Sequence, residues 1–145
     1  AAWMLPTDTV YGQWPASGAI DIMEYVGSEP NKVFGTLHYG LRFPDQYAFI
    51  GDDFFLPEGE TFNDDFHVFT ALWNEDCIQF LMDGELYSGP YSRSTLLPYP
   101  WSFDQRFHMI LNIAVGGNLP GNPDASTQFP QVMQVDYVRV YREKE

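Results

Sequence analysis

Short runs that alternate apolar and polar residues, each cut off by Gly, Pro, Asn or Asp, dominate this chain, and no long stretch repeats its apolar residues at a helical period. A period of two is what a half-buried strand needs, because successive side chains leave a strand on opposite faces. Ala19 to Glu24 is such a run, ended by Gly27 and Pro30. Val33 to Tyr39, Phe66 to Trp73 and Cys77 to Met82 are further runs. Asp83-Gly84 then predicts a hairpin turn, since both positions tolerate positive φ, with Glu85 to Tyr87 as the returning strand. Phe107 to Val115 reads as a long apolar strand closed by Gly116-Gly117, and Val132 to Tyr141 alternates with Val135, Tyr137, Arg139 and Tyr141 on one face. Leu41 to Pro57, Ser88 to Gln105 and Asn118 to Pro130, rich in breakers, read as loops. The pattern predicts an all-β sandwich.

Such sandwiches often run to roughly 200–250 residues, and this chain has 145. It also opens on an apolar run, Ala1-Ala2-Trp3-Met4-Leu5. Both features lead us to expect that residues 1–145 are one portion of a larger domain. A net charge of −13 argues against nucleic acid and against an anionic membrane surface, both of which need a basic face. A neutral polymer such as a polysaccharide is compatible with it. Aromatic residues make up 17% of the chain, which suits either a β core or a sugar-stacking cleft. The single cysteine, Cys77, excludes an intrachain disulfide.

The segment Trp14-Pro15-Ala16-Ser17-Gly18-Ala19-Ile20-Asp21-Ile22-Met23-Glu24 places two acids on one short strand. Asp21 shares a face with residue 19. Glu24 lies at an odd offset from Asp21, so a regular strand would send it to the opposite face. A β-bulge around Ile22 or Met23 would bring it back. Without a bulge, the segment is an amphipathic strand with solvated acids.

This segment resembles the active-site strand of glycoside hydrolase family 16, in its laminarinase-type branch, whose pattern is Glu-x-Asp-x-x-Glu. Trp3-Met4-Leu5-Pro6, Tyr11 to Pro15, Gly35 to Gly40, Leu111 to Gly117 and Val135 to Tyr141 resemble the family's flanking strands, in order along the chain. The resemblance implies a jelly roll of two curved antiparallel sheets with the glycan across the concave face. It implies that this chain is the C-terminal portion, with the N-terminal half of the domain as its partner. A secreted or extracellular protein acting on a β-glucan is the corresponding expectation.

By the same resemblance, position 19 is the nucleophile, Glu24 the acid/base and Asp21 an assisting carboxylate. Retaining hydrolysis needs two carboxyls roughly 5–5.5 Å apart, one attacking the anomeric carbon and one donating and recovering a proton. Here the chain departs from the family, because Ala19 carries a methyl group and cannot form a glycosyl-enzyme. Two readings stay open: an enzyme inactivated at its nucleophile, and a natural glucan-binding protein descended from one. The retained Asp21 and Glu24 favour the first. The branch motif is shared by agar-cleaving enzymes, so agar remains an alternative substrate. Trp14 and Trp3 match sugar-stacking positions, and His38 matches a histidine near the acid/base. Trp101, in a Pro-rich loop, and Asn112, among apolar residues, are further candidates for substrate contact. Asp136 matches an aspartate that helps hold a structural calcium. Catalysis itself needs no cofactor.

Overall fold

The computed structural model describes residues 1–142. The chain divides into two compact units, Ala1–Asn112 and Ile113–Glu145. Among the described residues, the first holds every strand. These are β1 Ala2–Pro6, β2 Ala19–Tyr25, β3 Lys32–Arg42, β4 Gln46–Phe55, β5 Phe69–Trp73, β6 Cys77–Met82, β7 Glu85–Ser92 and β8 Phe107–Leu111. They form two antiparallel sheets, one ordered β4-β3-β2-β1-β8 and the other β5-β6-β7. The expected all-β class and two-sheet arrangement are therefore observed.

The sheets meet through the side chains that alternation sends inward. Met4, Ile20, Ile22, Leu37 and Tyr39 come from the larger sheet, and Ile78, Phe80 and Tyr91 from the smaller. Ile20, Leu37, Ile78 and Phe80 are fully buried, each stabilising the fold by roughly 1.5–3 kcal/mol. The predicted hairpin is present between β6 and β7. Asp83 and Gly84 take φ values of 48° and 87°, the double positive φ that a tight two-residue turn requires. The outward face of the larger sheet is thereby left free, with β2 at its centre between β1 and β3.

Several sequence expectations are corrected. Leu41 to Pro57 is mostly strand β4, whose Asp and Gly residues find partners in the fold: Asp53 pairs with Lys32 at 2.9 Å, and Asp52 accepts from the Tyr91 hydroxyl at 2.7 Å. Gly51 lies so close to β3 that a Cβ there would collide with the Gly35 carbonyl. β7 runs on to Ser92, into the stretch read as a loop, and β5 starts at Phe69 rather than Phe66. β8 stops at Leu111 instead of Val115. Val132 to Tyr141 forms no strand, because alternation makes a strand only where a neighbouring chain segment supplies ladder hydrogen bonds.

The second unit consists of turns and irregular chain over its described residues. Asp124 accepts from the backbone and hydroxyl of Ser126, and Arg139 lies 4.0 Å over the Tyr137 ring. Tyr137 and Arg139 thus lie on one side of the chain, as the alternation predicts.

Candidate active site

The residues before β2 set its entry. Thr9 to Gly18 folds as successive turns, closed by Gly12 N–H to Thr9, Ala16 N–H to Gln13 and Gly18 N–H to Pro15. Gly18 has φ of 75°, and a Cβ there would lie 2.8 Å from the Phe103 ring and from Ser102 Oγ. Only glycine lets the chain turn so tightly into the strand. The turns leave Trp14 43% exposed, with its ring 5.2 Å from Tyr47 and 5.4 Å from Phe43, centroid to centroid.

Along β2, Ala19 faces His38, Asp21 faces Thr36 and Glu24 faces Phe34. Three steps on β2 thus match two on β3. The β1 side has the same irregularity, with Trp3 opposite Asp21 and Ala2 opposite Met23. The expected bulge is present, and it returns Glu24 to the face of Asp21. Oxygens of both carboxyls and a His38 ring nitrogen all lie within 4.8 Å of one another.

Asp21 is buried, and its Oδ2 lies 2.7 Å from His38 Nε2. Its Oδ1 is also buried and has no hydrogen-bond partner among the described residues, so it is an acceptor available to a ligand hydroxyl. His38 Nδ1 lies 2.7 Å from the Tyr47 hydroxyl, and the two rings are nearly parallel. Glu24 is pushed up to about 7, first by burial and then by the negative charge of Asp21. It can therefore carry a proton near neutrality. Asp21, Glu24 and His38 could ligate a metal geometrically, but His38 Nδ1 already has the Tyr47 hydroxyl as its hydrogen-bond partner and Nε2 lies against Asp21 Oδ2.

Asp21 and His38 line a pocket of about 360 Å³ together with Trp3, Leu5, Trp14 and Ala19. Trp3 is held in place by its Nε1–H, which donates to Asn112 Oδ1 at 2.7 Å. Asn112 thus serves the site by orienting Trp3, and its side-chain carbonyl is occupied in doing so. Trp101 does not flank the pocket: it is 4% exposed and packs on Phe103 in the core. Its Pro-rich loop folds inward because Leu96, Trp101 and Phe103 all find apolar surroundings there. Asp136 is exposed in the second unit and belongs to no cluster of three or more acidic, His or Cys ligands among the described residues. Calcium takes six to eight oxygens, so Asp136 by itself does not make such a site.

Two residues of the site, Leu5 and Tyr47, are not singled out by the sequence pattern. Leu5 follows from Trp3 as the next residue but one on a strand. Tyr47 falls in a segment that reads as loop.

A two-sheet β sandwich with adjacent acids beside an aromatic-walled pocket is the architecture of a glycoside hydrolase. The chain belongs to the glycosyl hydrolases family 16, whose model matches residues 1–139. It is 46% identical over 151 residues to glucan endo-1,3-beta-glucosidase A1 of Niallia circulans, covering 99% of this chain and 22% of that protein. The catalytic domain of an endo-1,3-beta-glucanase (laminarinase) from Thermotoga petrophila superposes with a TM-score of 0.80 at 43% identity, over 89% of this chain and 51% of that one. A beta-1,3-glucan-binding protein of Penaeus monodon is 34% identical over 152 residues, covering 90% of this chain and 42% of that protein. The chain thus spans about half or less of the length of these relatives.

Proposed function

We propose that the chain is the acid/base-bearing portion of a retaining endo-β-1,3-glucanase domain whose nucleophile position is occupied by Ala19. The observation that carries this reading is the bulge in β2, which gathers Asp21 and Glu24 on one face with Glu24 pushed up to about 7. In the reaction, a carboxylate at position 19 attacks the anomeric carbon. Glu24 gives its proton to the departing glycosidic oxygen, then takes one back from the water that hydrolyses the intermediate. Burial and then the charge of Asp21 raise Glu24, and Asp21 Oδ2 lies against His38 Nε2. Trp14 and Trp3 offer their ring faces to sugar. With a methyl group at 19, the first step has no attacking atom.

A mixed β-1,3/1,4-glucan fits the same chemistry, and agar is the further alternative. Exposed apolar side chains on β5 and β8, Leu72, Met109 and Leu111, support a further portion of the sandwich packing on unit Ala1–Asn112. A polymeric glucan is met outside cells, and this reading carries a secreted or extracellular location with it.

Ala19→Glu in the full protein tests the proposal. Release of reducing ends from laminarin is the expected result, and a fully inactive Ala19→Glu variant that still binds laminarin supports the second reading. That reading is a non-catalytic glucan-binding protein, favoured by Ala19 itself and by the similarity to the Penaeus monodon protein.

A further inference from the structure

Three side chains from three strands stand in one line of short polar contacts. The Tyr47 hydroxyl of β4 meets His38 Nδ1 of β3 at 2.7 Å, and His38 Nε2 meets Asp21 Oδ2 of β2 at 2.7 Å. A neutral imidazole has one donor nitrogen and one acceptor nitrogen. A carboxylate can only accept, so Nε2 must carry the proton on the Asp21 side. Nδ1 is then the acceptor, and the phenol is its donor.

From this geometry we infer that Tyr47 is a positioning residue: its hydroxyl proton caps His38 Nδ1, holding the imidazole neutral with its proton on Nε2 toward Asp21. Burial and the charges of Asp21 and Glu24 all oppose ionisation of Tyr47, so the phenol keeps the proton it donates. The ring stack reinforces the line. Tyr47 lies 5.8 Å from His38 at an interplanar angle of 9°, and Trp14, Phe43 and Phe49 pack around it. Among the described residues, the titratable groups facing His38 are Asp21 and Glu24 from β2 and Tyr47 from β4, and the Ala1 ammonium ahead of β1 also acts on Glu24; Trp14 and Phe49, the other rings beside His38, carry no charge.

The consequence reaches Glu24. A charged imidazolium at His38 opposes the upward shift of Glu24. By keeping the ring neutral, Tyr47 protects the proton that Glu24 needs. This consequence rests on the acid/base role proposed for Glu24, whereas the line of contacts does not.

Ring-nitrogen ¹⁵N spectra of the Ala19 protein at neutral pH test the line directly. The expected spectrum shows His38 as the neutral Nε2–H tautomer. In Tyr47→Phe, which keeps the ring and drops the hydroxyl, Nδ1 takes up a proton and both His38 nitrogens move to imidazolium positions. The His67 resonances, fixed by Asp83 at 2.8 Å, stay unchanged and report an intact fold. An imidazolium in the parent, or a His38 spectrum unaltered by Tyr47→Phe, overturns the inference. In an Ala19→Glu background, Tyr47→Phe lowers kcat about tenfold with KM little changed and moves the alkaline limb of the pH profile to lower pH; an unchanged profile overturns the link to Glu24. Should Ala19→Glu be inactive, the proposed function fails while the spectra still decide the role of Tyr47.

Discussion

Glu24 shares a face with Asp21 although the two stand at an odd separation, because Ile22 is surplus to the pairing with β1, and Ile22 and Met23 together take the place of one residue on β3. Consecutive Ala2 and Trp3 oppose Met23 and Asp21, and Phe34 and Thr36 oppose Glu24 and Asp21. The surplus residue is buried in the core cluster, so the irregularity is anchored from behind while the acids meet in front.

Restoring a carboxylate at position 19 should create activity that depends on Glu24. In an Ala19→Glu background, Glu24→Gln should lower kcat on laminarin by about 10²–10⁴-fold, the usual contribution of a positioned acid/base. Steady-state reducing-end assays on the pair measure this directly.

The raised Glu24 carboxyl should make stability fall with rising pH. Its ordinary value is 4.5 and its folded value about 7. Between these values the folded chain keeps a proton that the unfolded chain has released, so ΔG of unfolding decreases as pH rises through that window. Below 4.5 both states hold the proton and this loss is absent. Urea titrations from about pH 4 to 8 should show the slope, and Glu24→Gln should remove this component.

Trp14 should matter for binding without any catalysis. Its ring is 43% exposed at the pocket. Trp14→Ala in the unaltered Ala19 protein should weaken laminari-oligosaccharide binding about tenfold, equivalent to about 1.4 kcal/mol. Calorimetric titration gives the comparison, and equal affinities would remove Trp14 from the binding surface.

Leu37 lies on the core side of β3, next to the site residue His38, and is fully buried. Leu37→Ala should cost about 2–5 kcal/mol in chemical denaturation. Trp101→Phe should leave oligosaccharide affinity unchanged, since Trp101 packs against Phe103 in the core and does not line the pocket.

The features legible in the sequence are those that depend on local alternation. β2, β3, β6 and the Asp83-Gly84 turn carry their own pattern, and the odd spacing of Asp21 and Glu24 by itself requires a bulge if the two acids are to meet. What is hidden depends on partners distant in sequence. Asp52 and Asp53 look like loop residues until Tyr91 and Lys32 meet them. Tyr47 is concealed with them, and so is its bond to His38. Trp101 is misplaced because a proline-rich segment says nothing about which side of the loop turns inward. Val132 to Tyr141 shows the reverse failure, a clean alternation that forms no strand.

The bulge also sets how this strand can change length. Deleting Ile22 would let Met23 move into its place and leave Glu24 two positions past Asp21, on the same face of a regular strand. Deleting both Ile22 and Met23 would turn Glu24 away. A single-residue loss is therefore the smallest deletion that preserves the facing of the acids. What the bulge preserves is the shared face of the two acids, not their separation along the chain.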